Sequence, residues 1–204
     1  SKIQVEDRYY YPSNEITSAI NVQRAIVVLK ASKNDKGFES IYGIETLNSD
    51  TSSLQYFVPN GIFDEITNLS EAQPYKLYRE TLTGLPLCMV RDDKTGYSVS
   101  LARYKPVIDY KTNSYACVSV HKGLTSGGEK KSSIEITYPS RDTSRKYFEV
   151  KESNKIVYDL TLMAFKTDNF DDAMIEHYTN QYLLQDQRIV NTNIDTCYKV
   201  INED

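Results

Sequence analysis

The sequence predicts an α+β fold that is mainly β, an antiparallel sheet or barrel-like sandwich with one C-terminal amphipathic helix packed on it. Three observations carry that prediction. The segment Lys155 to Asp186, KIVYDLTLMAFKTDNFDDAMIEHYTNQYLLQD, reads as one long strand running straight into one helix. Upstream of it, short runs rich in β-branched and aromatic residues are separated by turn residues. The aromatics are also skewed, with Tyr 17 and Phe 6 against Trp 0, and tyrosine suits half-buried strand positions where the ring packs and the hydroxyl stays wet. At 204 residues, the chain is expected to form one β-rich domain spanning 1–204 that buries a core without a disulfide or metal staple.

In the order of the chain, Asn14 to Ile20 is expected to be a short helix, capped by Ser13 or Asn14 with Glu15 in its first turn. The run from Val22 to Lys30 has strand composition, and a second strand is expected over Ser40 to Leu47. LQYFVPNGIFDEI sets an Asn60-Gly61 pair between two apolar runs, which suits a tight hairpin turn or, with Pro59 beside it, a looser loop. The segment Lys76 to Leu82 fits either a helix or a strand. LCMVRDDKTGYSVSLARY is the clearest hairpin, with strands at Leu87 to Arg91 and Tyr97 to Tyr104 around DDKTG. A second hairpin is expected from Val107 to Tyr110 and Tyr115 to Lys122 around KTNS. GLTSGGEKKSS holds three of the eight glycines within six residues, so residues 122–133 are expected to be a flexible loop.

Strands at Ile134 to Tyr138 and Tyr147 to Lys151 follow, separated by the loop PSRDTSRK, with a turn at Ser153-Asn154. The strand Ile156 to Lys166 is apolar on both sides, which places it centrally with both faces covered. Asp168 or Asn169 then caps a helix whose first turn holds Asp171 and Asp172, as the macrodipole prefers. Phe170, Ala173, Met174, His177, Tyr178 and Tyr182 recur at spacings of three and four, forming a stripe that lies against a sheet. The helix is expected to stop near Gln185, and a last strand to run from Arg188 to Val200.

The net charge of −4 argues against nucleic-acid binding as the main activity, because such domains carry a broad basic footprint. The charge is uneven. From His121 to Lys146 six bases stand against three acids, whereas from Val150 to Asp204 five bases stand against ten acids. Opposite surfaces of this kind can dock copies head to tail, or be solvated faces. Cys88, Cys117 and Cys197 are widely spaced in apolar runs, as buried free thiols in a reducing compartment would be. No stretch of about 18 apolar residues is present, and SKIQVEDRYYY lacks the pattern of a signal peptide. Synthesis in a cytoplasm is therefore expected.

No GxGxxG, P-loop, HExxH or GxSxG motif occurs. His177 falls on the apolar stripe of the last helix and reads as a packed structural histidine. His121 and Cys117 lie four apart in one strand. That spacing puts them on one face without bringing them into hydrogen-bond contact. Asp168, Asp171, Asp172 and Glu176 cluster where a helix start prefers acids, and a divalent cation needs oxygens from several directions. DDKTG lacks the ligand spacing of a calcium loop. Arg141 and Arg145, with Ser140, Thr143 and Ser144, suit a phosphate or a partner's carboxylates, or simply a solvated loop. The expectation is a protein that is not an enzyme, with no catalytic residue, cofactor or metal.

The stretch IEITYPSRDTSRKYFEV, followed by VYDLTLMAFKTDNFDDAMIEHYTNQYL, resembles the neck and tail-terminator proteins of contractile-tailed bacteriophages. The resemblance runs through Ile136, Thr137 and Tyr138 at a strand end, then a polar arm. It continues through Tyr158, Asp159, Leu160 and Leu162 in a strand, and Asp171, Asp172 and Ile175 at a helix start. It covers Ile134 to Leu184, about a quarter of the chain. The helix departs from the family by continuing HYTNQYLLQD where a leucine-proline-aromatic ending belongs. The same strand-then-helix unit is similar to that of phage tail-tube proteins, which set it on a β-barrel core.

The resemblance implies a structural virion protein, made in the host cytoplasm, with six copies forming a ring around the DNA channel. The sheet would line the lumen, the helix would pack outside, and loops would bridge neighbours. Implied partners are further copies of the chain and other virion proteins, with non-specific DNA contact in the channel and no membrane. On that reading Lys130, Lys131, Arg141, Arg145, Asp171, Asp172, Tyr178 and Tyr182 are interface residues. The alternative is a β-rich viral or bacterial binding module that recognises a host protein or glycan through exposed tyrosines.

Overall fold

A computed structural model describes residues 1–11, 18–35, 37–46, 51–58, 69, 75–79, 87–104, 116–126, 129–138 and 150–184. Ten strands, one α-helix and a short 3-10 turn at Thr51–Ser53 are present among them: β1 Lys2–Tyr10, β2 Ala19–Lys30, β3 Ser40–Thr46, β4 Leu54–Phe57, β5 Tyr75–Arg79, β6 Leu87–Asp92, β7 Tyr97–Tyr104, β8 Cys117–Ser126, β9 Glu129–Tyr138, β10 Lys155–Lys166 and α1 Phe170–Leu184. One sheet has the order β1-β2-β10-β7-β6-β4 and the other β3-β9-β8-β5. Every pairing in both is antiparallel. Mainly antiparallel β structure with one C-terminal helix on a sheet is therefore the observed class. Neither sheet closes into a barrel among the described residues.

The sheets face each other across one apolar core. Val22, Ile26, Cys88, Val90, Leu101, Tyr158 and Leu160 come from the six-stranded sheet, and Val118, Val120, Ile134 and Ile136 from the four-stranded one. Helix α1 covers the opposite face of the six-stranded sheet. There Phe170, Ala173 and Leu184 pack with Leu87, Met89, Ala102 and Met163. Strand β10 lies between β2 and β7, so its even residues Tyr158 and Leu160 enter the inter-sheet core while Met163 faces the helix. The two-sided apolar pattern of this strand has that cause.

Asn169, rather than Asp168, caps α1. Its Oδ1 accepts the Asp172 backbone N–H at 2.8 Å, and its Nδ2 donates to Asp172 Oδ2 at 2.7 Å. The buried stripe is Phe170, Ala173, His177, Gln181 and Leu184, with Met174 and Tyr178 half-buried beside it. The β6–β7 hairpin turns at DDKTG as expected. Gly96 has φ +73°, and a Cβ there would meet the Thr167 carbonyl at 3.0 Å. Glycine is required on both counts.

Three expectations need correction. Ala19 and Ile20 are the first residues of β2 rather than the end of a helix, opposite Met163 and Leu162 of β10. Thr161 Oγ1 donates to Asn21 Oδ1 at 2.9 Å in that ladder. Residues 122–133 do not form a long loop. Leu124, Thr125 and Ser126 pair with Lys131, Lys130 and Glu129, so β8 and β9 make a hairpin around residues 127–128. Main-chain ladder bonds suffice to hold such polar strand ends, and they leave no apolar signature. Val150 and Lys151 lie outside any strand. The Ser153 N–H instead donates to the Val28 carbonyl, and the Val28 N–H to the Asn154 carbonyl, both at 2.9 Å, which docks the turn onto β2. Strand β4 pairs with β6, and the Asn60-Gly61 turn lies outside the described residues. The strands expected at Val107 to Tyr110 and Arg188 to Val200 also lie outside them. The ambiguous segment near Lys76 is strand β5, and Lys2–Tyr10, whose residues carry no clear strand pattern, is strand β1.

Candidate functional site

The surface that differs most from an ordinary solvated face is the β1 edge. Strand β1 pairs with β2 along its whole length, from Lys2 opposite Lys30 to Tyr10 opposite Asn21. Among the described residues no strand flanks its other side. Eight of its nine residues are exposed, including Ile3, Val5, Tyr9 and Tyr10, and Tyr11 follows at 71% exposure. Its alternation places Ile3, Val5, Asp7 and Tyr9 on one face, opposite Val28, Ile26, Arg24 and Val22 of β2. That is the face that becomes the inter-sheet core further in.

One buried-edge network fastens this strand. Arg24 Nε and Nη2 donate to the two Asp7 oxygens, both at 2.7 Å, and Nη1 donates to the Ile41 carbonyl at 2.9 Å. A bidentate pair of this kind is directional and charge-assisted. Asp7 holds the Arg24 guanidinium pKa above its ordinary value. Arg24 also lies 4.7 Å from the Tyr42 ring centroid, and the Tyr9 and Tyr42 hydroxyls are 3.4 Å apart. Burial, then the Tyr9 contact, raises the Tyr42 phenol. Below this, Tyr158 and Ser40 share a buried hydroxyl pair at 2.7 Å. The network ties β1, β2 and β10 to β3 of the second sheet. Nothing in the spacing of Asp7, Arg24 and Tyr42 marked them in advance, because only the register brings them together.

The second candidate lies on the outer face of the four-stranded sheet. His121 Nε2 is 3.0 Å from Ser119 Oγ and 3.3 Å from Glu135 Oε2, while Ser133 Oγ donates to Glu135 Oε1 at 2.8 Å. His121 holds the Glu135 carboxyl below the usual carboxylate range, with Ser133 adding to it. Gly43 is opposite Glu135 in β3, and a Cβ there would sit 2.9 Å from Glu135 Cγ. Its missing side chain makes room for the glutamate. Ser119 and Glu135 both address the same histidine nitrogen. A nucleophile relay needs the base and its orienting acid on opposite ring nitrogens, so these contacts do not form one. Cys117 is four residues from His121 in β8, about 13 Å along an extended strand. It is buried, as is Cys88, whose thiol pKa is pushed up by burial.

His177 is packed as the sequence suggests. Its ring lies between Ser100 Oγ, 2.7 Å from Nδ1, and Ser98 Oγ, 2.8 Å from Nε2, edge-on to Phe165. Because the Ser98 hydroxyl donates to the Phe165 carbonyl at 3.2 Å, it accepts from Nε2–H, and Nδ1 accepts from Ser100. Burial pushes His177 down to about 3, so the ring is neutral. Arg91, also fully buried, donates to Asp93, Gln55 and the Thr167 and Asp168 carbonyls. It clamps β6 and β4 to the junction of β10 with α1.

The expected interface residues separate. Asp171 and Asp172 are exposed on the first turn of α1. Tyr178 is half-buried and lines an apolar cavity of about 220 Å³ with Phe57, Met174, Ile175 and Thr179. Tyr182 lies in the last turn of α1. Lys130 and Lys131 lie in β9, in the other sheet, opposite Thr125 and Leu124. Arg141 and Arg145 lie outside the described residues. Among the described residues no group of three or more His, Cys, Asp or Glu converges on a metal position, and no helix is long and apolar enough to cross a membrane.

No family model matches the sequence, and neither does any curated protein. A solved structure, the Slr1438 protein of Synechocystis sp. PCC 6803, is similar at a TM-score of 0.45 and 8% sequence identity. The similarity covers 81% of this chain and 55% of that chain.

Proposed function

We propose that this protein is a structural subunit of a tailed-bacteriophage virion, a neck, tail-terminator or tube component that assembles into a ring around the DNA channel. The observation that carries the assembly part is the β1 edge. Among the described residues no strand pairs with the outer side of this nine-residue strand, and Ile3 and Val5 are exposed beside it. Monomeric proteins shorten or cover such edges, because an open row of N–H and C=O groups templates pairing with another chain. Strand β1 does carry charges, but Lys2, Glu6, Asp7 and Arg8 are of both signs, so a second strand can match them. The virion assignment follows from the family resemblance of Ile134 to Leu184. On that reading Lys130, Lys131, Arg141, Arg145, Asp171, Asp172, Tyr178 and Tyr182 contact neighbouring subunits. One sheet's β8–β9 hairpin and the other sheet's helix supply opposite charges to two different neighbours.

A second reading is favoured by a specific observation. Tyr9, Tyr10 and Tyr11 are consecutive and exposed, as a tyrosine-based site for a host protein or glycan would be. Light scattering behind a sizing column over a wide concentration range, with negative-stain images of any large peak, separates the two. Rings or tubes are the expected outcome. A monomer at every concentration that captures a glycan or host protein through Tyr9 to Tyr11 supports the binding module instead.

A further inference from the structure

The residues of β1 also specify how that edge would be met. The strand contains neither glycine nor proline. The single irregularity in its ladder belongs to β2, where Leu29 is the extra residue beside the Lys2/Ile3 junction. The edge that no described strand pairs with is therefore regular from Ile3 onward. On the inner face, Ile3 at 39% and Val5 at 54% exposure continue the apolar surface of Ile26 and Val28 outward. On the outer face, Lys2 stands opposite Lys30, a like-charge pair that disfavours the ladder. Glu6 on the same face meets Arg8 at 2.8 Å. The strand thus carries an unmatched cation near one end and an acid four residues away.

We propose that β1 pairs antiparallel with β1 of a second copy, about a twofold axis at Gln4, so that two six-stranded sheets become one continuous sheet. In this register Lys2 of each copy lies opposite Glu6 of the other, Ile3 lies opposite Val5, and Gln4 lies opposite itself. Inner faces stay with inner faces, so the four apolar side chains form one patch. The two Lys–Glu pairs place an acid beside the Lys2 and Lys30 charges. Neighbouring registers that preserve the faces are worse. An axis at Val5 sets Lys2 against Arg8, an axis at Glu6 sets Glu6 against itself, and an axis at Ile3 sets Lys2 against Gln4 and brings no acid opposite it. The contact is isologous and closes copies into pairs, the units that a ring would be built from. It deepens the assembly reading and rests on β1 being an assembly edge.

Cysteine cross-linking and a charge swap on the full chain test it, with the wild-type protein as the background for its native thiols. Residues facing each other across antiparallel strands have Cα atoms about 4.5–5.5 Å apart, within disulfide range. Under mild oxidation Gln4→Cys is expected to form a covalent dimer well above background, and Val5→Cys is not. Lys2→Glu is expected to weaken self-association roughly tenfold, and Lys2→Glu with Glu6→Lys to restore it. Cross-linking through Val5→Cys instead of Gln4→Cys overturns the register. Dimers or rings that form with no cross-link at either position, and with no response to the charge swap, overturn the β1 contact while leaving the assembly reading standing. A monomeric wild-type protein at every concentration overturns both.

Discussion

Strands β1 and β10 belong to the same sheet and are nine and twelve residues long, yet they live in opposite environments. β10 has a neighbour on each side, the inter-sheet core on one face and α1 on the other. Among the described residues β1 has one neighbouring strand, and eight of its nine residues are exposed. The first holds the molecule together through side chains. The second is fastened chiefly by its ladder with β2 and by the Asp7–Arg24 pair. The contrast separates what stabilises this chain from what it offers to a partner.

The contrast can be broken first at Leu160 and Val5. Leu160→Ala removes a fully buried side chain from the middle of β10 and should cost about 2–5 kcal/mol in urea unfolding. Val5→Ala on β1 should fall within about 0.5 kcal/mol of wild type at a concentration where the protein is monomeric. Equal losses at both sites would place β1 inside the cooperative core.

The face of the sheet that receives α1 makes a pH prediction. His177 is neutral in the fold, with a pKa of about 3 against the ordinary 6.5. Between those values the unfolded chain binds the extra proton, so stability rises with pH and is lost as pH falls from 6.5 toward 3. The slope is at most about 1.4 kcal/mol per pH unit from this group. Glu135 and Asp92, held below their ordinary 4.5 and 3.8, add their own loss only at lower pH. The interval from pH 6.5 to 5 therefore reports mainly on His177. His177→Gln should flatten that interval in urea midpoints measured against pH; an unchanged slope would contradict the neutral packed ring.

Smaller effects probe the edges of the comparison. Asn169→Ala removes the α1 cap and should cost about 1 kcal/mol, read as a lower urea midpoint. Tyr158→Phe deletes the buried hydroxyl contact with Ser40 that joins β10 to the second sheet, and should cost about 0.5–1.5 kcal/mol. If β1 needs that joint, Tyr158→Phe should also raise hydrogen exchange in residues 2–10, because Ser40 lies beside the Arg24 network.

The strand and helix at residues 155–184 were legible because two-sided burial and a helical stripe write themselves into residue type. The β6–β7 hairpin was legible because Gly96 and the two aspartates are what its turn requires. Strand β1 was not, because KIQVEDRYY carries only two apolar residues at alternate positions and pairing along one edge requires no more. The far end of the β8–β9 hairpin was misread for the same reason, its ladder being satisfied by main chain alone. His177 was placed correctly by its position on the stripe, whereas Gln181, buried on the same stripe, carried a polar label that hid it. Arg24 with Asp7, and Arg91 with the β10–α1 junction, are joined by register and by chain reversal. A single sequence holds no record of either.

The most direct test of the assembly edge compares wild type with the double variant Ile3→Lys, Val5→Lys, since charges on an edge strand are what monomers use to block pairing. Both proteins would be followed by light scattering over one concentration series, with urea midpoints taken at the dilute end. The expected result is a wild-type mass that rises with concentration, a variant that stays monomeric, and the same unfolding midpoint for both. An identical rise in mass for the two proteins would contradict the claim that β1 is where copies meet.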